Sequence, residues 1–274
     1  PRRECMQTEG GQGGGKMFRT GRRLQMEMAA DMAVAAQAQH LASDGGSDID
    51  IWSIAYRGTL LEGVLLAGER QPTAPAALNV QVHRCEEPFA SSPDWEESDV
   101  PPTGPGHAVL AWAPNVSLAY CGTSSRPGAA LDESAFSAST YGSLWRQMAI
   151  IDTSLTLTDL AVRPDGAKLY LTTSNPWGPE SVWHSFSDPL GLRWERGLTV
   201  DSTTDAVMVE LSADYESDRT VYVASHNSDL IAVSHNGGNS WEWRTRAPEM
   251  LLDLLVVAEE TLYAAIPGGR IMMS

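Results

Sequence analysis

Cysteine is scarce in this chain. Its 274 residues hold three, Cys5, Cys85 and Cys121, widely separated and without a CxxC pair or a Cys/His cluster at zinc spacing. At most one disulfide can form, so stability has to come from packing. Positive charge is also short: 19 Lys and Arg stand against 35 Asp and Glu, a formal net charge of −16. That balance argues against non-specific binding to nucleic acid or to an anionic membrane surface, and a charged partner should be basic or a cation. No apolar run approaches the ~18 residues of a membrane span, so membrane insertion is not expected. The opening residues, PRRECMQTEGGQGGGK, lack the apolar centre of a secretory signal. The six histidines (His40, His83, His107, His184, His226, His235) show no metal-ligand spacing on one strand or helix. There is no Gly-x-Ser-x-Gly elbow, phosphate loop or dinucleotide fingerprint.

What is present is a repeat. Trp95, Trp145, Trp194 and Trp241 recur at intervals of 50, 49 and 47 residues, and the last three share a Gly-x-x-Trp spacing from Gly142, Gly191 and Gly238. A second landmark keeps nearly the same period, with Tyr120, Tyr170, Tyr222 and Tyr263 in short β-type segments. About ten residues before each lies an apolar run: HAVLAWAP, TDLAVRPD, DAVMVELS and DLLVVAEE. DIWSIAYRG followed by LEGVLLAGE is the same pair one unit earlier. Each unit reads as four strands, A to D, with Gly, Pro, Asn and Asp at the joints. Four-stranded units of this length predict an all-β protein, a β-propeller of antiparallel blades. The expected units are 48–105, 106–153, 154–202, 203–248 and a partial 249–274, because the Gly-x-x-Trp of the last unit would fall beyond Ser274. Either an N-terminal strand closes that unit or, the favoured reading, the chain is a piece of a longer polypeptide.

The turn before Trp241 is SHNGGNSW (234–241). Gly237 and Gly238 suit positive φ, Ser234 and Asn236 suit hydrogen bonds to the turn's own backbone, and the Trp folds back on the hairpin. This stretch resembles the Asp-box, Ser-x-Asp-x-Gly-x-Thr/Ser-Trp, with Asn236 at the Asp position. SDPLGLRW (187–194) and STYGSLW (139–145) are degenerate versions of it. Such boxes recur in sialidases, sortilin-type receptors, xyloglucan-active endoglucanases and bacterial exported propellers, including the photosystem II assembly propeller. SADYESDRTVYVAS (212–225) resembles the exported group most. The resemblance covers residues 48–274 and implies a fold, an extracellular, cell-surface or periplasmic location, and a structural role for Ser234, Asn236, Gly238, Trp241, Gly191, Trp194, Gly142 and Trp145.

Outside the repeat, residues 1–47 divide into a Gly-rich stretch and RRLQMEMAADMAVAAQAQHLA (22–42), which is rich in helix formers and predicts a helix or a tail from a preceding blade. EEPFASSPDWEESDVPPTGPG (86–106) reads as a solvated insertion, or as a lid or docking loop.

For chemistry, Asp50, Asp159, Asp205 and Asp253 each stand at the start of an expected A strand. In a propeller these strands line the channel, so Asp159, Asp205 and Asp253 are the candidates for a carboxylate ring. Such a ring would bind calcium or a basic ligand, or supply a paired acid and base for glycoside hydrolysis. The simpler role is capping of the local backbone. Sialidase chemistry is disfavoured, since AYRG (55–58) does not match that family's Arg-Ile-Pro motif and basic residues are few. Trp177 and Trp183 are candidates for stacking on sugar rings; core or rim packing is their commoner use. No cofactor is implied beyond calcium. The expected function is a non-catalytic binding or scaffold propeller recognising a protein or glycan, with a carbohydrate-active hydrolase as the alternative.

Overall fold

The computed structural model describes residues 50–274 except 60–61, 72–78, 114, 125–133, 151–155, 176–177, 186–189, 201–206, 227, 245–246, 248 and 259–260. The expected N-terminal segment, 1–47, lies outside the described residues. The rest is a five-bladed β-propeller. The first sheet joins β1 (Ile51–Gly58), β2 (Gly63–Glu69), β3 (Val82–Cys85) and β4 (Glu96–Glu97). The second holds β5 (His107–Ala113), β6 (Leu118–Ser124), β7 (Ala135–Ser139) and β8 (Arg146–Ile150). The third holds β9 (Thr156–Val162), β10 (Leu169–Ser174), β11 (Glu180–Ser185) and β12 (Glu195–Val200). The fourth holds β13 (Val207–Leu211), β14 (Val221–Ser225), β15 (Ile231–Ser234) and β16 (Glu242–Trp243), with a single helical turn, α1 (Tyr215–Asp218), between its first two strands. The fifth has three strands, β17 (Asp253–Ala258), β18 (Thr261–Ile266) and β19 (Arg270–Met273). Every pairing within the sheets is antiparallel, in sequence order. No described helix is long and apolar enough to cross a membrane.

The core lies between blades. Leu66, Val82, Leu110, Cys121 and Trp145 pack the first sheet on the second, and Phe136, Leu157, Leu169 and Leu171 pack the second on the third. Tyr170, Val182, Val209 and Val223 join the third to the fourth, and Met208, Tyr222, Leu254 and Ile266 the fourth to the fifth. Strands buried on both faces read as nearly continuous apolar runs, which is why the A and B strands were visible as VLLAGE- or VMVEL-like segments rather than as alternation.

The three Gly-x-x-Trp turns share one geometry. Each glycine has a positive φ (81° at Gly142, 84° at Gly191, 86° at Gly238). Its N–H donates to a serine hydroxyl on the preceding strand (Ser139 at 2.9 Å, Ser185 at 2.9 Å, Ser234 at 2.8 Å), and the Trp indole N–H donates to the glycine carbonyl at 3.1, 2.9 and 3.2 Å. In the fourth blade Asn236 Oδ1 also accepts from the N–H groups of Asn239 (3.1 Å) and Ser240 (2.9 Å). Trp95, which has no Gly three residues earlier, leaves its buried Nε1 without a partner among the described residues.

Each of these glycines also sits against the preceding blade. A Cβ would come within 2.5 Å of Leu66 at Gly142, 2.5 Å of Phe136 at Gly191 and 3.2 Å of Tyr170 at Gly238. The turn is therefore a clasp between neighbours as well as a hairpin. In the fourth blade the clasp is polar: the Gly237 carbonyl accepts from the Tyr170 hydroxyl at 2.9 Å and from Lys168 Nζ, and Tyr170 pairs with Tyr215 at 2.6 Å. Burial, then the Arg219 and Arg163 guanidiniums, pushes the Lys168 ammonium down; burial, then Tyr215, pushes the Tyr170 phenol up.

The acidic 86–106 segment is built into the fold. It contributes β4, Ser98 Oγ lies 2.8 and 2.9 Å from the Val82 and Gly142 carbonyls, and Gly104 N–H donates to Asn79 Oδ1 at 3.0 Å. Cys85 and Cys121 are buried free thiols, and burial raises both pKa values. With Cys5 replaced by Ser, the native protein should leave Ellman's reagent unreacted over a time in which both thiols react completely in denaturant. Rapid stoichiometric reaction without denaturant would show that the first two blades open readily.

Candidate functional site

The inner strands β1, β5, β9, β13 and β17 enclose a central cavity of about 200 Å³. An inner strand is a sheet edge, so its outward N–H and C=O groups need partners from elsewhere. The neighbouring blade supplies them through side chains. Ser53 Oγ donates to the Ala108 carbonyl at 2.7 Å and accepts from Leu110 N–H at 3.1 Å. Ser124 Oγ accepts from Leu157 N–H at 2.9 Å, while His107 Nε2 lies 2.9 Å from the Leu157 carbonyl. Between the third and fourth blades the same task falls to Asp159 and Thr158. Asp159 Oδ2 accepts from Val209 N–H and Oδ1 from Leu160 N–H, both at 2.9 Å, and Thr158 Oγ1 is 2.9 Å from the Val207 carbonyl.

Of the residues proposed from sequence, Asp159 and Asp253 both line the cavity. Asp253 Oδ1 accepts from Leu254 N–H at 2.9 Å, the same contact that Asp159 makes with Leu160. Asp205 and Trp177 lie outside the described residues. The register still locates the fourth blade's counterpart of Asp159. Arg163 N–H donates to the Lys168 carbonyl as Ser212 N–H does to Thr220, which aligns Asp159 with Met208. Met208 indeed lines the cavity. Met208, 49 residues after Asp159, therefore holds that register position in the fourth blade. Trp183 stands on β11, away from the cavity lining, with its indole N–H donating to Thr173 Oγ1 at 2.9 Å and the Arg196 guanidinium 5.8 Å from its ring.

The cavity brings together residues that the sequence reading passed over. Trp52, Tyr56 and Trp112 supply aromatic surface, and Glu210, itself buried, adds a third carboxylate to Asp159 and Asp253. Among the described residues, no Lys, Arg or His is in the lining. Two of these rings already meet guanidiniums from the chain itself: Arg70 lies 4.7 Å from Trp52 and Arg57 5.7 Å from Trp112. The available signal was a Trp or Glu inside an otherwise apolar inner-strand run, as in DIWSIAYRG, HAVLAWAP and DAVMVELS. Among the described residues no group of three His, Cys, Asp or Glu is placed to hold a metal ion.

No family model matches the chain, and no curated protein matches it. Solved structures do resemble it in fold. A chain of a nidogen/laminin complex is 11% identical with a TM-score of 0.53, over 78% of this chain and 71% of that one. The Niastella koreensis GH74 enzyme is 16% identical with a TM-score of 0.53, over 83% of this chain and 30% of its own. The Hadza microbial sialidase Hz136 is 12% identical with a TM-score of 0.53, over 85% of this chain and 54% of its own. This chain thus spans about a third of the first of these enzymes and about half of the second. At such identities the likeness is one of fold, shared by binding proteins and enzymes alike.

Proposed function

We propose that this chain is a non-catalytic binding or scaffold propeller, exported or displayed at a cell surface, that recognises a protein or glycan at its central cavity. The observation that carries the reading is the engagement of the carboxylates. A hydrolase needs carboxyl groups that exchange protons with substrate. Asp159 instead has both oxygens accepting backbone N–H groups, one of them from the next blade, and Asp253 uses Oδ1 in the same way. What the cavity offers is a surface: three aromatic side chains beside acidic groups, in a chain of net charge −16. A basic side chain presented by a protein partner suits that combination, through charge and ring contact together. The likeness to a chain crystallised in a protein complex favours a protein partner. The turn geometry favours the Asp-box class of propeller, with Ser234, Asn236, Gly238 and Trp241 as its fullest example.

Calorimetry with an Arg-rich peptide tests the reading. Binding of 1:1 stoichiometry should weaken about tenfold or more in Glu210→Gln, and persist in Asp99→Asn, an exposed residue outside the cavity lining. Equal affinity in all three proteins would place binding elsewhere. The second reading, glycoside hydrolysis, draws on three carboxylates sharing one cavity. Release of reducing ends from an oligosaccharide panel, lost in Asp253→Asn, would establish it instead. Calcium is expected to leave the melting temperature unchanged, because the Asp159 oxygens already hold backbone donors. A rise abolished by Asp205→Ala or Asp253→Ala would restore the cation ring.

A further inference from the structure

The central cavity has two different ends. Ser53, early in β1, meets Ala108 and Leu110, early in β5; His107 meets Leu157, and Thr158 and Asp159 meet Val207 and Val209 in the same way. The strands β1, β5, β9 and β13 therefore run in one direction along the axis, with their starts at one mouth and their A–B turns at the other. Glu210 shares a level with Ala111, Ala161 and Leu255, since each pairs with the recurrent tyrosine of its blade. Two residues nearer the strand starts, Val109, Asp159 and Met208 are all buried. Trp52, beyond them on that side, has Arg70 4.7 Å and His107 4.6 Å from its ring. Toward the A–B turns the lining opens: Tyr56, Val162, Pro164 and Leu211 are part-exposed and Ala213 is exposed.

We propose that a protein partner docks on the A–B-turn face and inserts one long basic side chain through that mouth, with its charge at Glu210. This rests on the binding function proposed above and adds the face that is used and the reach that the ligand needs. Glu210 is buried and lies one residue inside Leu211, about 3.3 Å along the strand. Its level-mates Ala111 and Ala161 carry only methyl groups, which leaves room beside the carboxylate. The rim is aromatic and aliphatic, and the acid lies below it. An aliphatic stem with a charge at its tip matches that order, whereas a short side chain would stop at the rim. Burying the ligand's charge is tolerable only where a counter-charge waits, and Glu210 supplies one. The Arg57 guanidinium, 5.7 Å from the Trp112 ring at this mouth, opposes an incoming cation.

The test uses the full chain in a Cys5→Ser background, where the described thiols, Cys85 and Cys121, are buried. Ala213→Cys puts a thiol at the A–B-turn mouth, and Met250→Cys puts one just before β17 on the strand-start side, where Met250 is 58% exposed. Each is coupled to maleimide–polyethylene glycol. The Arg-rich peptide should bind about tenfold or more weakly when position 213 is coupled, and with unchanged affinity when position 250 is coupled. Unchanged binding at 213, or a loss at 250 as large as that at 213, overturns entry by this mouth. Arg57→Gln should tighten binding about threefold, and unchanged or weaker binding overturns it equally. Replacing each arginine of the peptide by 2-amino-3-guanidinopropionate, two methylenes shorter, should cost about tenfold with the unmodified protein and nothing with Glu210→Gln. Equal losses in both would place the charge at the rim and overturn the reach. Glu210-dependent binding that ignores the label at 213 leaves the binding function standing and sinks this inference, whereas absence of Glu210-dependent binding in the unmodified protein ends both.

Discussion

Trp145→Ala is expected to destabilise the protein by about 3–5 kcal/mol, read as a shift in the midpoint of denaturant unfolding with unchanged slope. Trp145 is the most buried of the turn tryptophans, 4% exposed, and sits in the core shared by the first and second blades with Leu66, Val82 and Leu110. Its indole N–H lies 3.1 Å from both Ser98 Oγ and the Gly142 carbonyl. Its backbone N–H donates to Val100 at 3.0 Å. Truncation empties a large volume and removes the indole N–H from Ser98 Oγ and the Gly142 carbonyl. Trp241 is only half-buried in the equivalent position, so Trp241→Ala should cost less, about 1–2 kcal/mol. Equal losses at the two positions would mean that the hairpin, and not the contact between blades, holds the energy.

Asp159→Ala should cost about 2–5 kcal/mol, because it leaves the N–H groups of Leu160 and Val209 without acceptors in a buried site. Asp159→Asn keeps one acceptor oxygen and should lose roughly half as much. The direction separates two roles. A carboxylate serving a repulsive functional ring would stabilise the fold when removed, since like charges in a cavity oppose folding. A carboxylate that ties one blade's inner edge to the next destabilises it when removed. A Tm that rises in Asp159→Ala would therefore return the residue to the functional candidates.

The division between what could be read early and what could not follows the range of the forces involved. The sequence by itself determined the blade and its turns. Gly142, Gly191 and Gly238 need positive φ, their serine acceptors lie three to six residues away, and the Trp folds back three residues later. Contacts of that span depend on local chain geometry alone, so a fixed residue pattern marks them wherever it occurs. Tertiary structure decided what meets in the channel. Register follows the turns: Asp159 lies 14 residues after Trp145 and Met208 lies 14 after Trp194, so the 46-residue spacing of Asp159 and Asp205 did not carry it, and Met208 holds Asp159's place in the fourth blade. Trp52, Trp112 and Glu210 come together only because sheets about 50 residues apart twist and pack side by side around one axis. Which face of the fifth blade packs on the fourth was likewise invisible beforehand. Leu255, Tyr263 and Met273 look like any buried strand residues, and only their side of the sheet, set by cross-strand register, keeps them out of the core shared with the fourth blade.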